Sequence, residues 1–382
     1  MIPTMRPTLF ISNIAWDFVW QRHQTLASLF ARDGRVIFCE IPGIRRVGLR
    51  DAPRVLARLR RFAAPSRPAD AGTPPPAGLT IMRPFVLPAT NPLFCAWNAR
   101  QMRRFAAAQP ELRAGVDLVV DYSASRTALQ LLDCVPHRRL VYDCTDDWLA
   151  VRGIPSFLRD DERALLARAD LTLVPSQPLL ERKAPAARRI ARVPHGVLLE
   201  RFLVPARPAP AAGTVNLLYY GHLHRQHVDF AAIDRIARAR LGWRIVLLGP
   251  VRTPHAFPPN VVLGGQQPHE RLRDAISAAD VLLLPYAVNA YTQAVMPAKS
   301  YECLATGRPI VAAPLPQLTA DFAGEMAFAD APEAWVPAIE RVLRDDTPAA
   351  RAARIAVAEA NTWEQRYAEI RRLLAGLETA PA

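Results

Sequence analysis

The chain has almost no lysine. Of its 48 basic residues all but Lys183 and Lys299 are arginine. A lysine here marks a place where a compact ammonium on a flexible stem does what a planar guanidinium cannot. Cysteine is also sparse: Cys39, Cys95, Cys134, Cys144 and Cys303 are scattered, odd in number and never spaced as CxxC. That spacing excludes a disulfide framework and a cysteine zinc site, and it fits a reducing, cytoplasmic compartment. No apolar run approaches the roughly 18 residues of a membrane-spanning helix. Residues 1–13, with one arginine and no long apolar core, read as a first strand rather than a secretory signal. Collagen, coiled coil, secreted disulfide scaffold and integral membrane protein are excluded.

What is present is the composition of a globular enzyme, 51% apolar and 22% charged. At 382 residues the chain exceeds what one hydrophobic core usually serves, so two domains are expected. The charge is uneven. Residues 1–200 hold 29 Arg and Lys against 18 Asp and Glu, a net +11, whereas residues 201–382 hold 19 against 17, a net +2. The excess implies an anionic partner for the first half: membrane headgroups, a phosphate-bearing substrate or nucleic acid.

Short apolar runs alternate with longer amphipathic stretches, the pattern of parallel α/β sheets. Strands are predicted over residues 8–14, 35–41, 79–87, 117–122, 140–144, 171–175 and 190–193. Helices are predicted over 20–32, 94–107, 125–132 and 158–167, and a loop rich in proline and alanine over 63–78. The Pro-rich segment 204–213 reads as a linker. After it the alternation restarts, with strands over 215–220, 243–248, 261–263, 281–285 and 309–313. Helices follow over 230–240, 269–278, 298–305 and 332–343, with one long last helix over 349–374. The expected division is an N-terminal doubly wound domain over 1–203, a linker over 204–213, a second such domain over 214–348, and a C-terminal helix over 349–382 packing back toward the first. Ligands of such sheets bind at the carboxyl ends of the strands.

The most informative stretch is VMPAKSYECLATGRP, residues 295–309. Pro297 suits a first helical turn, Lys299 lies in it, Glu302 follows one turn later, and Gly307 closes the helix. A helix N-terminus plus a lysine suits a diphosphate, and an acidic residue beside it suits ribose hydroxyls. The plainer alternative is a capped surface helix with an i,i+3 ion pair.

With LYYGHL at 218–223, VPHGV at 193–197, WDFVWQRHQTLA at 16–27 and LVYDCTDDW at 140–148, this stretch resembles GT-B glycosyltransferases of the group 1 superfamily. The first-half motifs are similar to those of a polysaccharide subgroup that includes teichuronic-acid glycosyltransferases, and more remotely to the xanthan glucuronosyltransferase. The resemblance implies two Rossmann-like domains facing across a cleft, and a sugar moved from a UDP- or GDP-sugar donor without a cofactor or a required metal. It implies that Lys299 contacts the diphosphate, Glu302 the ribose, Tyr286 the nucleotide pocket, and Gly221 the turn that opens the donor domain. The family's first acidic residue, eight positions before Glu302, is replaced by Ala294, which leaves the stereochemical outcome and the sugar open. Its cations after the opening glycine are replaced by His222, His224 and Arg225, of which Arg225 is the best phosphate ligand by charge.

On the acceptor side, Asp143, Asp146 and Asp147 follow a predicted strand. An inverting transfer needs a base for the acceptor hydroxyl, and a carboxylate in a partly dry site can supply it. Asp146 is the favoured base by resemblance, Asp17 the alternative; an N-cap cluster is the plainer reading, and a magnesium site is unneeded where a lysine already offsets the diphosphate. Arg22 and His23 lie where an acceptor would enter, and His195 beside Gly196 shapes a turn at the cleft.

Two Arg-rich apolar stretches, Arg54–Phe62 and Phe94–Phe105, suit a helix lying on an anionic membrane; a solvated basic face over the core is the alternative. Nucleic acid is disfavoured, because no recognition motif accompanies the charge. The combined expectation is a cytoplasmic glycosyltransferase, peripheral at the inner face of the plasma membrane, serving a lipid-linked or glycan acceptor in cell-surface polysaccharide synthesis. A nucleotide-sugar 2-epimerase of the same fold and a non-catalytic nucleotide-sugar-binding protein are the other readings.

Overall fold

The computed structural model describes residues 6–41, 74–89, 91–150, 157–208, 210–211 and 213–377. The basic stretch Arg54–Phe62 lies outside them. The chain forms two compact units, residues 1–193 with 369–382, and residues 194–368. The Pro-rich segment read as a linker lies inside the second unit, where Phe202 and Val204 are buried in its core.

In the first unit the strands are β1 (Thr8–Ser12), β2 (Val36–Glu40), β3 (Leu79–Met82), β4 (Val116–Asp121), β5 (His137–Asp143), β6 (Leu171–Val174) and β7 (Ile190–Arg192). They form one sheet in the order β3-β2-β1-β4-β5-β6-β7, parallel throughout. Helices α1 (Arg22–Asp33), α2 (Pro92–Ala108), α3 (Pro110–Ala114), α4 (Arg126–Leu132), α5 (Phe157–Arg168) and α6 (Gln177–Lys183) connect them. A parallel sheet covered on both faces needs strands that are apolar on both sides, which is why β2 reads VIFCE and is buried along its whole length. One face carries Leu9, Ile11, Ile37, Val119 and Leu140 in a single core. On the other, Phe10 meets Phe30 of α1 edge-on at 5.5 Å and stacks on Tyr122 at 6.3 Å. The strand predicted over 79–87 stops at Met82, because Pro84 has no N–H to give a ladder.

The second unit repeats the plan. Its strands are β8 (Asn216–Tyr220), β9 (Arg244–Leu248), β10 (Val261–Gly265), β11 (Val281–Leu284), β12 (Ile310–Ala312) and β13 (Ala327–Phe328), in the order β10-β9-β8-β11-β12-β13. Helices are α7 (Leu199–Phe202), α8 (Phe230–Ala239), α9 (His269–Ala278), α10 (Lys299–Ala305), α11 (Pro316–Asp321), α12 (Trp335–Arg344), α13 (Pro348–Glu359) and α14 (Trp363–Gly376), the last belonging from Glu369 onward to the first unit. The single long last helix expected over 349–374 is instead two. Thr362 breaks it with a reciprocal cap, its N–H donating to Gln365 Oε1 at 2.9 Å and the Gln365 N–H to Thr362 Oγ1 at 3.4 Å.

In each sheet the chain leaves in opposite directions from one strand, β1 in the first and β8 in the second. The carboxyl ends of β1 and β4, and of β8 and β11, therefore flank the crevices where such folds take ligands.

A buried ion pair ties the first crevice together. Arg22, at the start of α1, donates through Nε to Asp143 Oδ2 at 2.8 Å and through Nη1 to the Val193 carbonyl at 3.0 Å. The two side chains are 2% and 0% exposed. Burial opposes the guanidinium charge, but Asp143 and then Tyr122 outweigh it, and its pKa stays above the ordinary value. We expect Arg22→Met to cost roughly 3–5 kcal/mol, since it leaves a buried carboxylate uncompensated, and Arg22→Met with Asp143→Leu to recover much of that. Urea unfolding followed by tryptophan fluorescence checks this; a double variant no more stable than the single one would contradict it.

Candidate functional site

The second crevice is built on a lysine and two glycines. β8 ends at Tyr220, and Gly221 follows at φ +141°, in the region that favours glycine. A Cβ there would run into the Lys299 ammonium and the Tyr219 hydroxyl. The space a side chain would take is used by Lys299, whose Nζ donates to the Tyr220 carbonyl at 2.7 Å. The ammonium also lies 4.6 Å from the centre of the Tyr219 ring and 5.8 Å from that of Tyr286. Gly249, at φ +133°, lets the end of β9 press against the Gly221 carbonyl. Burial works against the lysine charge, yet Tyr219, Tyr286, Cys303 and Glu302 around it hold its pKa above the ordinary value. It is a permanent cation at the carboxyl end of the switch strand.

Lys299, Gly221, Tyr286 and Glu302 thus come together, as expected for four of the five donor-side residues. The i,i+3 ion pair of the plainer reading is not formed among the described residues. Burial pushes the Glu302 carboxyl pKa up, Lys299 and the Tyr220 hydroxyl pulling it back in part. Ala294, where the resembled family has an acid, is 1% exposed on a single turn. Asn289 pins that turn, accepting from the N–H groups of Tyr291 and Thr292 at 3.0 and 3.1 Å.

Arg225 sits further out, exposed, its guanidinium donating to His255 Nδ1 at 3.2 Å. His255 Nε2 donates to Asp234 at 2.8 Å. The cation that sequence reasoning missed is Arg252, in the loop after β9. Its N–H donates to the Leu223 carbonyl at 2.9 Å, which holds that loop beside the one after β8. Arg252 and Lys299 both act on His222, whose pKa is lowered by burial first and then by these two charges. Nothing local in the sequence of Arg252 marks it; only the strand order brings it here.

At the first crevice the expected acceptor residues separate. Arg22 is committed to Asp143. His23, 5% exposed, stacks on Tyr122 with ring centres 3.8 Å apart. The Ser12 hydroxyl donates to the Ile14 carbonyl at 2.9 Å, so His23 Nδ1–H donates to Ser12 Oγ, also at 2.9 Å. Burial and Arg22 lower the His23 pKa to about 3, so the ring is neutral. Asp17 is exposed. Asp147 is no helix cap: Arg182 donates to it at 2.7 Å and Lys183 at 3.2 Å, and Lys183 also donates to Glu162 at 2.7 Å. With Asp143 and Asp147 paired to different cations, no metal-holding carboxylate cluster forms among the described residues. Asp146 stands between them, half-buried. The sequence reading missed Asp121, at the end of β4: it is fully buried, Oδ1 accepts from the Ser123 N–H at 2.7 Å, and burial pushes its pKa to about 7. His195 is 7% exposed against the Trp363 ring, packed on the start of α14.

Residues 214–345 match the family described as Glycosyl transferases group 1. TuaH of Bacillus subtilis (strain 168), provisionally named a teichuronic acid biosynthesis glycosyltransferase, is 25% identical over 234 residues. That match covers 54% of this chain and 58% of the relative, so the chain spans little more than half the relative's length. Sucrose-phosphate synthase from Thermosynechococcus elongatus superposes with a TM-score of 0.70 at 17% identity, over 98% of this chain and all of that one. HepE of Anabaena, solved in complex with UDP, superposes at 0.66 and 12% identity, over 97% of this chain and all of that one. Residues 214–345 match the group 1 glycosyl transferase family, in a chain whose two parallel-sheet units have the GT-B fold.

Proposed function

We propose that the protein is a glycosyltransferase that moves a sugar from a UDP- or GDP-sugar to a lipid-linked or glycan acceptor in polysaccharide synthesis. The observation that carries this reading is the Lys299 ammonium, held at the carboxyl end of β8 over Gly221 inside a group 1 domain. Lys299 takes the diphosphate, Arg252 and Arg225 add charge at its rim, Glu302 accepts the ribose hydroxyls, and Tyr286 walls the nucleotide. These cations offset the donor's charge, so the proposal needs no divalent metal. The acceptor-side base is Asp146, half-buried on the loop that follows β5. Asp17 is the alternative.

The basic first unit supports an anionic membrane surface as partner. Helix α2 does not offer a free apolar stripe: Met102 is fully buried and Phe105 packs against the core. Its first turn does, with Leu93 80% and Phe94 37% exposed, near Phe85 at 39%. Phe85 meets Trp97 edge-on at 5.5 Å. Arg100, Arg103 and Arg104 are exposed along the same helix. Apolar tips and adjacent arginines are what an anionic bilayer surface binds. No described helix is long and apolar enough to cross a membrane.

Three measurements test this. Lys299→Ala should weaken UDP binding, read by calorimetry, at least tenfold, and Lys299→Arg should restore it only in part, on the order expected for losing one charge-assisted contact; unchanged affinity in folded Lys299→Ala removes the donor site. Asp146→Asn should keep UDP affinity and lose roughly a hundredfold in transfer of labelled sugar to a lipid-linked glycan pool; full activity there with a dead Asp17→Asn moves the base to the first loop. Sedimentation with phosphatidylglycerol vesicles should fall with salt and drop when Leu93 and Phe94, or Arg100, Arg103 and Arg104, are changed to Ser. Equal retention on neutral vesicles would leave the basic face as solvated surface.

A further inference from the structure

Of the two lysines, Lys299 belongs to the crevice of the second unit, whereas Lys183 lies in the first. Lys183 is the last residue of α6 and is buried. Its Nζ donates to Glu162 Oε2 of α5 at 2.7 Å and to Asp147 Oδ1 at 3.2 Å. Glu162, also buried, accepts at Oε1 from the Tyr142 hydroxyl of β5 at 2.9 Å. The Cys144 thiol lies 3.7 Å from the same oxygen and 3.5 Å from the Asp146 carbonyl, with one proton to give to either. Arg182 donates to Asp147 Oδ2 at 2.7 Å. One buried network thus joins β5, α5 and α6 to the loop that follows β5.

That loop is held on both sides of Asp146. Ahead of it, Asp143 pairs with Arg22 of α1, and the Cys144 N–H donates to the Leu173 carbonyl of β6 at 2.8 Å. Behind it, Asp147 meets Lys183 and Arg182, and its carbonyl accepts from the Ala150 N–H at 3.0 Å. Thr145 and Asp146 alone stand between the anchors Cys144 and Asp147. Apolar side chains of similar volume often join buried elements as firmly as ion pairs do, because the pairs repay little more than their own desolvation. What the charged network adds is direction, since a hydrogen bond weakens steeply off its line.

We infer that Lys183 is a positioning residue for sugar transfer: through Asp147 and Glu162 it fixes the loop that carries Asp146, and with it the place of the acceptor-side base. This rests on the reading of Asp146 as that base. Lys183 acts through the loop and needs no contact with substrate. A base works only within hydrogen-bond reach of the proton it takes, and a misplacement of about 1 Å can cost on the order of a hundredfold. The donor residues belong to the second unit, so donor affinity is expected to stay.

Lys183→Met alone would strand the Glu162 charge in the interior. It is therefore paired with Glu162→Gln, which still accepts from Tyr142 and leaves Asp147 to Arg182. Turnover is read in the full chain as UDP or GDP released from UDP-glucose, UDP-N-acetylglucosamine or GDP-mannose, with a lipid-linked glycan pool and with water alone as acceptor. The double variant should melt close to wild type, bind the nucleotide-sugar unchanged and turn over about tenfold more slowly. Arg126→Met, which breaks the ion pair with Asp161 at 2.5 Å, should lose stability and keep turnover. In an Asp146→Asn background the two substitutions should slow turnover no further, because a positioning residue acts only through the group it places; a merely structural loss would multiply. If the double variant does not fold, Lys183→Arg, which keeps the charge and changes its geometry, should show a smaller loss that Asp146→Asn again erases. Full turnover in these variants, or an undiminished further loss in the Asp146→Asn background, overturns the inference, while a slow Asp146→Asn keeps the base standing. Normal turnover by Asp146→Asn removes the base and the inference with it. No release by wild type under either condition removes the transfer reading on which both depend.

Discussion

All strands of a parallel sheet end on the same edge, and both units are doubly wound, so each has one place where the chain departs to left and right. At that place no crossover loop fills the gap above the sheet. Everything chemical described above hangs on this constraint. It puts Gly221 and Lys299 at one edge although 78 positions separate them in number, and it puts Ser12, His23 and Asp121 at the other. The glycines at the end of β8 and β9 are the local price of closeness: backbone and ammonium approach where a Cβ would stand.

The two lysines show why arginine was not used everywhere. Lys299 reaches a carbonyl past a glycine and between tyrosine rings, a slot that suits a single point charge. Lys183, 5% exposed, bridges Glu162 and Asp147 behind the loop that carries Asp146. A compact ammonium with three rotatable donors meets such partners from several directions. The three clustered aspartates diverge for a related reason. A carboxylate cannot stay buried and charged without a cation, so Asp143 takes Arg22 and Asp147 takes Arg182 and Lys183.

Helix α2 separates composition from placement. Its apolar and basic residues interleave in sequence, and a lipid-facing stripe and a core-facing stripe have the same period. Packing assigns Asn98, Met102 and Ala106 to the interior and leaves the first turn outside. The basic residues then cover the outer surface beyond that turn.

The two doubly wound units, most strand positions and the switch from the first to the second set of strands were legible in the sequence, as was the rarity that singles out Lys299. Apolar strand runs and turn residues act locally, over a few residues, and the scarcity of lysine needs only counting. The break at Thr362 was legible too, as a Thr–x–x–Gln cap, though the helical period on both sides hid it. What only the tertiary structure decided is which partner each charge finds. The loop of Arg252 beside that of His222, Arg22 against Asp143, Asp147 against Arg182 and Lys183, and Asp121 buried with its pKa near 7 all follow from strand order and burial. Electrostatic environment is a property of distance in space and of lost water, and neither is written in the spacing of residues along the chain.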